Sequence, residues 1–313
     1  RDVKRLGRKT RLPETQRTIL WSVFDSVRSR LKKEGLITYS GIFSKLAEKL
    51  AELKNPPFEF VVVDEAQDVS VAQLRFLAAL GAKRPNALFF AGDLGQRIFQ
   101  NPFSWKSLGV DIRGRSRTLN INYRTSHQIR MQADRLLEPE LSDVDGNKEE
   151  RRGTVSAFNG PPPVIQTFDN QEAEIEAVGC LLSGLSKEGF TPNEIGVFVR
   201  SDAELNRARK AVAKSDMPFK VLDEQIATIA GHVSVSTMHL AKGLEFRAVF
   251  VMGCDDEILP LQERIETVSD ESDLEEVYNT ERHLLYVACT RARDRLFITS
   301  VSPASEFLDD LKT

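Results

Sequence analysis

The chain has 313 residues, 41% of them apolar and 28% charged, which allows an ordinary globular core and argues against wholesale disorder. At roughly 150 residues per domain, this length predicts about two domains. Lys and Arg total 43 against 46 Asp and Glu, a formal net charge of −3, so bulk charge alone does not mark a nucleic-acid binder. No apolar run approaches the roughly 18 residues of a membrane span; the longest are pieces such as FVVV (Phe60–Val63) and LFFAG (Leu88–Gly92). The basic start, RDVKRLGRKTR, has no apolar signal-peptide core. Cys180, Cys254 and Cys289 are odd in number and far apart. They exclude a disulfide framework and a CxxC metal knuckle, and fit a reducing, cytoplasmic setting without a membrane.

Charge is unevenly spread. Residues 1–33 carry eleven Lys/Arg against three acids, Asp111–Arg135 six Arg against two Asp, and Asp255–Glu281 eleven acids against one base. Such blocks are solvated faces or local binding grooves, and a local basic groove can hold a phosphate backbone on a neutral protein.

In chain order, the first fifty or so residues read as helical. Leu20, Val23, Phe24, Val27 and Leu31 recur at three- and four-residue spacing, as do Ile42, Phe43, Leu46, Ala47 and Leu50. Asn55-Pro56-Pro57 breaks the pattern. Strands are then expected at Phe58–Val63, Ala87–Ala91, Val164–Phe168, Ile195–Val199, Val233–Thr237, Ala248–Met252 and Arg295–Thr299. Helices are expected at Val71–Leu80, Ser126–Leu137, Glu172–Leu185, Ala203–Lys214 and Leu274–Ala288. Continuously apolar strands alternating with helices predict an α/β fold with parallel sheets covered on both faces. Asp143–Arg152 and Gly160–Pro163 read as exposed connectors.

FEFVVVDEAQD is the most informative stretch. A strand there delivers Asp64 and Glu65 at its carboxyl end, where parallel α/β sheets place ligands. Adjacent carboxylates at that point suit nucleotide hydrolysis, one for Mg²⁺ and one to polarise the attacking water, or else form only a polar helix start. Asp68 and Ser70 suit helix capping. LFFAGDLGQRI repeats the arrangement and supplies Gln96, which can hydrogen-bond a water or a terminal phosphate. LNINYRT supplies Tyr123, able to stack on a base, and Arg124, able to neutralise phosphoryl charge.

With DEAQD, GDLGQRI, NYRTS, STMHLAKGLEF and LLYVACTRAR in that order, the chain resembles the UvrD/Rep/PcrA group of superfamily-one DNA helicases from about Thr38 to Thr299. The resemblance implies two RecA-like parallel-sheet domains, the first incomplete, behind an N-terminal helical accessory segment. The expected boundaries are 1–55 for the helical remnant, 56–115 for the end of the first RecA-like domain and 116–313 for the second. It further implies ATP and Mg²⁺ as cofactors, single-stranded DNA or DNA with single-stranded tails as partner, and 3′ to 5′ movement. By resemblance Asp64 ligates Mg²⁺, Glu65 is the general base, Gln96 senses the γ-phosphate, and Arg124 and Arg291 close on it from the second domain. Tyr123 stacks on adenine, Gly243 and Glu245 reach the nucleotide (Glu245 toward the ribose), and Thr237 and His239 face DNA. The acids and guanidinium groups are thereby expected to converge on one triphosphate.

Three departures qualify that picture. No G-x-x-x-x-G-K-[ST] loop occurs, Gly7-Arg8-Lys9-Thr10 being a decoy without the Gly-Lys adjacency. The expectation is a chain that begins after that loop, belongs to a longer protein and does not hydrolyse ATP alone. VLDEQIATIAGH runs almost directly into VSVST, leaving no room for a large inserted accessory domain. After Phe99, NPFSW intervenes before Trp105, so base stacking falls to Phe99 with Phe103 or Trp105, unless the tryptophan packs in the core. The alternative function is a non-hydrolysing DNA-binding or protein-interaction module derived from a helicase. Independently of any family, Glu281 falls in the apolar stripe of its helix and requires a hydrogen-bonded or cationic partner, unless that position is a partly exposed helix edge. The expected partner is an arginine behind the nucleotide site, with Glu281 orienting the Arg291 segment.

Overall fold

The computed structural model describes residues 13–55, 57–100, 102–150, 153–268 and 271–312; Gly7–Thr10 lies outside them. The elements run α1 (Glu14–Lys33), α2 (Tyr39–Glu52), β1 (Val61–Val63), α3 (Val71–Gly81), β2 (Leu88–Phe90), β3 (Ile121–Asn122), α4 (His127–Ala133), β4 (Glu140–Ser142), β5 (Lys148–Glu150) and β6 (Val155–Ser156). They continue with β7 (Val164–Phe168), α5 (Gln171–Lys187), β8 (Ile195–Val199), α6 (Leu205–Lys214), β9 (Phe219–Val221), β10 (Val233–Thr237), β11 (Phe246–Val251), α7 (Gln262–Glu266), α8 (Glu271–Cys289), β12 (Ala292–Val301) and α9 (Phe307–Lys312). The chain divides into two compact units, one of residues 1–117 with 142–149 and one of 118–141 with 150–313. None of the described helices is long and apolar enough to cross a membrane.

In the first unit, Thr38 caps α2 by accepting the Gly41 N–H at 3.0 Å, and Phe43 meets Phe76 of α3 edge-on at 5.5 Å. Ser70, rather than Asp68, caps α3, in a reciprocal capping box with Gln73. The strands β1 and β2 pair in parallel, Val61 opposite Leu88 and Val63 opposite Phe90. Their inward residues join Leu74, Leu77 and Leu80 in a small core. The outward face is bare: Phe60 is 70%, Val62 73% and Phe89 64% exposed. This corrects the expectation of a strand buried on both faces. Side chains alternate across a strand, and an apolar run does not reveal how many of its faces find cover. Phe103 and Trp105 pack against the same core, Trp105 edge-on to Phe90 at 4.9 Å. The residues read as a connector after Asp143 instead enter a hairpin of β4 and β5. Asp143 Oδ1 accepts the Asp145 and Asn147 N–H groups, and Asp145 takes the Ser104 hydroxyl and the Lys106 N–H.

The second unit is built on a six-stranded sheet in the order β7-β12-β11-β8-β10-β9, with every pair parallel. All five residues of β8 are buried, as are five of the six in β11, which matches the continuously apolar signature of a sheet covered on both faces. Ile175, Val178, Leu182 and Leu185 of α5 and Ala208, Ala211 and Val212 of α6 pack on Ile195, Val197, Val235 and Phe250. The strand β9 escapes a sequence reading because it is three residues long, half-buried and contains Lys220.

One charged network is sealed inside this unit. Glu174 of α5 is fully buried and accepts from Arg207, the Thr299 hydroxyl and the Gly253 N–H. Arg207 continues to Asp255 at 2.7 Å, which takes the Val301 N–H at 2.6 Å. Helices α5 and α6 are thereby tied to the ends of β11 and β12.

Two classes of substitution separate on this basis, measured by urea unfolding. Leu182→Ala opens a cavity and costs about 2–5 kcal/mol, and Glu174→Ala leaves Arg207 on Asp255 but unpairs the buried Thr299 hydroxyl and Gly253 N–H, and costs about 1–3 kcal/mol. Val62→Thr, on the bare face of β1, stays within about 0.5 kcal/mol of the parent.

Candidate functional site

In the first unit the site residues sit where two parallel strands end side by side. Asp64 and Glu65 follow β1 and are exposed. Glu65 lies in the left-handed region, φ 50° and ψ 40°, a conformation uncommon outside Gly, Asn and Asp and a mark of local strain. Its N–H is taken by Asp64 Oδ1 at 2.8 Å. The buried Gln67 donates its amide to Glu65 Oε2 and accepts the Asp93 N–H at 3.0 Å, which bridges the ends of β1 and β2. Asp93 in turn accepts the Gly95 N–H at 2.8 Å and the Gln96 side-chain amide at 2.9 Å. A Cβ at Gly92 would stand 2.5 Å from Gln67 Oε1 and displace that amide. The structure therefore joins Asp64, Glu65, Gln67, Asp93 and Gln96 in one hydrogen-bonded cluster. Gln67 and Asp93 are the members that the sequence reading assigned no role. Exposed carboxylate oxygens at a strand end have the hard-donor chemistry that Mg²⁺ takes.

Among the aromatic candidates the structure separates two kinds. Phe99 is 52% exposed, while Phe103 and Trp105 belong to the core packing described above. Phe103 and Trp105 are half-buried against that core, whereas Phe99 is exposed.

The second unit gathers its candidates at two opposite edges of the sheet. At the amino edge, Glu245 and Arg291 immediately precede β11 and β12, whose first residues Phe246 and Ala292 are in register; the Phe246 N–H donates to Arg291 O at 3.0 Å. The NYRTS turn is stitched to the same place. Asn122 Oδ1 accepts the Arg124 and Thr125 N–H groups, the Thr125 hydroxyl reaches Thr290 O at 3.5 Å, and the Ser126 N–H donates to Arg293 O at 3.1 Å. Arg124 pairs with Glu245 at 2.5 Å, both half-exposed, and Tyr123 beside them is 73% exposed. Gly243, at φ +79°, has open space around its missing side chain.

Arg291 behaves differently from Arg124. It is 1% exposed, and its guanidinium donates to Val287 O at 3.0 Å, Leu244 O at 3.4 Å and the Thr290 hydroxyl at 3.4 Å. A group held on carbonyls in this way meets a phosphate only after its side chain turns outward.

At the carboxyl edge, Thr237 ends β10 opposite Val199 of β8. His239 lies in the 3₁₀ turn Met238–Ala241 that follows, and Arg200 follows Val199. Arg200 is buried against the fully buried Glu281 of α8 through two hydrogen bonds, Nε to Oε2 and Nη2 to Oε1. Arg264 adds a third at 2.8 Å, and the Leu261 N–H a fourth at 3.4 Å. The partner of Glu281 is thus an arginine, Arg200, but it stands at the carboxyl edge of the sheet and not beside Arg124 and Arg291 as expected; its place straight after an apolar strand was the available signal. His239 is half-buried. Burial, then the Arg200 and Arg264 charges, hold its imidazole below the ordinary value, while Glu281 and Asp202 pull the other way. Among the described residues no group of three or more His, Cys, Asp and Glu could hold a metal.

Comparison with known proteins follows these positions. Residues 8–105 match the UvrD/REP helicase N-terminal domain, and residues 222–303 match the UvrD-like helicase C-terminal domain. A protein named "Probable DNA helicase" from Mycoplasma pneumoniae is 27% identical over 255 residues, covering 79% of this chain and 44% of the relative. DNA helicase IV of Escherichia coli is 25% identical over 299 residues, 91% of this chain and 40% of that protein. ATP-dependent DNA helicase PcrA of Staphylococcus epidermidis is 40% identical over 82 residues, 26% of this chain and 11% of PcrA. The chain therefore spans less than half the length of each of these three. A solved C-terminal domain of a possible DNA helicase from Lactobacillus plantarum is 24% identical with a TM-score of 0.42, covering 61% of this chain and 94% of that one. The two matched domains occur in family order, with Tyr123 and Arg124 in the stretch between them, and the chain belongs to the UvrD-like helicase family.

Proposed function

We propose that this chain is the C-terminal part of an ATP-dependent DNA helicase or translocase that couples ATP hydrolysis to 3′ to 5′ movement on single-stranded DNA. The observation that carries the reading is the junction of β1 and β2, where Gln67 ties strained Glu65 to Asp93 beside Gln96. Backbone strain held by surrounding hydrogen bonds is a feature of functional sites. Mg²⁺ bound at Asp64 would polarise the phosphates and neutralise their charge. Glu65, fixed by Gln67, takes the proton of the attacking water, and Gln96 orients that water or the terminal phosphate.

In the second unit, Arg124 supplies positive charge to the developing phosphoryl group. Arg291 does the same once its side chain leaves the Val287 and Leu244 carbonyls. Tyr123 offers a ring for adenine, and Gly243 leaves its segment open to close approach by the nucleotide. Glu245 serves the ribose. Thr237 and His239 at the opposite edge, and Phe99 in the first unit, contact the DNA strand. The reading favours single-stranded DNA, since base faces stack on an exposed ring only when unpaired.

The whole protein and the chain alone are expected to differ. None of the 313 residues forms a G-x-x-x-x-G-K-[ST] loop, so the backbone amides and lysine that cradle the β- and γ-phosphates are not in this sequence. The isolated chain is expected to show no DNA-stimulated phosphate release, and measurable turnover would overturn that statement. In the full-length protein, Glu65→Gln is expected to lower kcat by at least about 100-fold, the worth of general-base catalysis, with ATP and DNA binding largely kept. Normal turnover by that variant would place the base elsewhere. Gly92→Ala, by pushing Gln67 off Glu65, is expected to lower kcat by about tenfold or more while leaving the thermal unfolding of the second unit unchanged.

A further inference from the structure

Glu281 lies outside the roles assigned above, yet it is among the most heavily bonded carboxylates of the second unit. It is fully buried and holds Arg200 of the β8 end, Arg264 of α7 and the Leu261 N–H together. Those donors come from two separate segments that meet around α8. The third segment at the same place is the turn Met238–Ala241, because β10 and β8 are paired through Thr237 and Val199 and their next residues are neighbours. His239 stands in that turn, and the charges it faces are Arg200, Glu281, Arg264 and Asp202.

We infer that Glu281 is a positioning residue for His239: by clamping Arg200 and Arg264 on one buried carboxylate, it fixes the turn that presents the imidazole and sets the charge around it. The inference rests on the reading of His239 as a DNA-facing residue only for its functional consequence; the clamp itself is a matter of geometry and charge. Alone, Arg200 would be a buried unpaired cation next to a half-buried imidazole, an arrangement too costly to persist. With Glu281 in place the pair is neutral, and Arg264 is left as the adjustable charge, its side chain 36% exposed. The charges around His239 then act in opposite senses, Arg200 and Arg264 lowering its pKa and Glu281 raising it, and the DNA contact it makes responds to what Arg264 does.

The signs are fixed by electrostatics. Loss of Arg264 removes a repelling cation and raises the imidazole pKa; loss of the Glu281 charge removes an attracting anion and lowers it. With only four histidines in the chain, the His239 ring is assignable by NMR through comparison with His239→Ala. The chain is to be titrated between pH 4.5 and 8 as wild type, Arg264→Gln and Glu281→Gln. The expected result is a His239 midpoint that moves up in Arg264→Gln and down in Glu281→Gln. Should Glu281→Gln fail to fold, Arg264→Gln, which keeps the buried Arg200–Glu281 pair, decides alone. A His239 midpoint that stays at the wild-type value in Arg264→Gln overturns the inference, because a merely structural ion pair would leave it there.

A second measurement tests the functional reading separately. Fluorescein-labelled dT16 anisotropy at fixed salt is expected to show His239→Ala binding about fivefold more weakly, the worth of one hydrogen bond. Unchanged affinity would remove His239 from the DNA contact and leave the clamp standing.

Discussion

Parallel strand pairing is the constraint on which the arrangement depends. In the first unit β1 and β2 run the same way and in register, so both chains leave the sheet at one edge. Two short polar segments, Asp64–Asp68 and Asp93–Gln96, are thereby forced to share a few ångströms of space, and the Gln67 side chain can bond both. An antiparallel pair would have put them at opposite ends. In the second unit, five parallel pairings polarise a sheet of six strands, and each connection between neighbours must cross from one edge back to the other. The segment Met238–Glu245 is such a crossing. It begins beside Arg200 and ends against Arg291, so one short stretch carries candidate DNA-facing groups at its start and nucleotide-facing groups at its end.

Buried charge secures that scaffold. Glu174 and Glu281 are both wholly buried, and a lone carboxylate in either place would be expelled or protonated. Each instead accepts several hydrogen bonds. Glu174 joins α5 to α6 and to the ends of β11 and β12, and Glu281 joins α8 to β8 and α7. Apolar residues of the same size could give equal stability. What they could not give is direction: an aliphatic contact slides, whereas a bidentate carboxylate–guanidinium pair fixes the helix along its axis and about it.

Much of this was legible in the residues. The continuously apolar strands of the six-stranded sheet read correctly because burial on both faces leaves an unbroken apolar run, and α5, α6 and α8 because their apolar residues recur at helical spacing. The need of Glu281 for a partner followed from one acid in an apolar stripe. The identity of that partner did not, since Arg200 and Glu281 are 81 positions apart and only the sheet order brings them together. Sequence also misjudged β1 and β2, where an apolar run identical in kind has only one face covered. Phe103 and Trp105 were ambiguous for a related reason: an aromatic residue after a functional motif has the same composition whether it stacks on a base or packs on Phe90. The pairing of Arg124 with Glu245 was beyond the sequence as well, because each residue was assigned a ligand and neither was assigned the other.

That last contact bears on how the second unit presents its cations. Arg124 rests on a carboxylate and Arg291 on backbone carbonyls. Both guanidinium groups therefore have acceptors already, and any anion that reached either would have to displace them. For Arg124 the displacement costs little, since an exposed ion pair is worth at most about 1 kcal/mol. For Arg291 it requires vacating a buried cage whose walls are the last turn of α8 and the Leu244 carbonyl. The first wall belongs to α8, which Glu281 anchors near its middle; the second belongs to the Met238–Glu245 segment, which contains His239. The two walls of the Arg291 cage thus belong to the two elements, α8 and the Met238–Glu245 segment, that also carry Glu281 and His239.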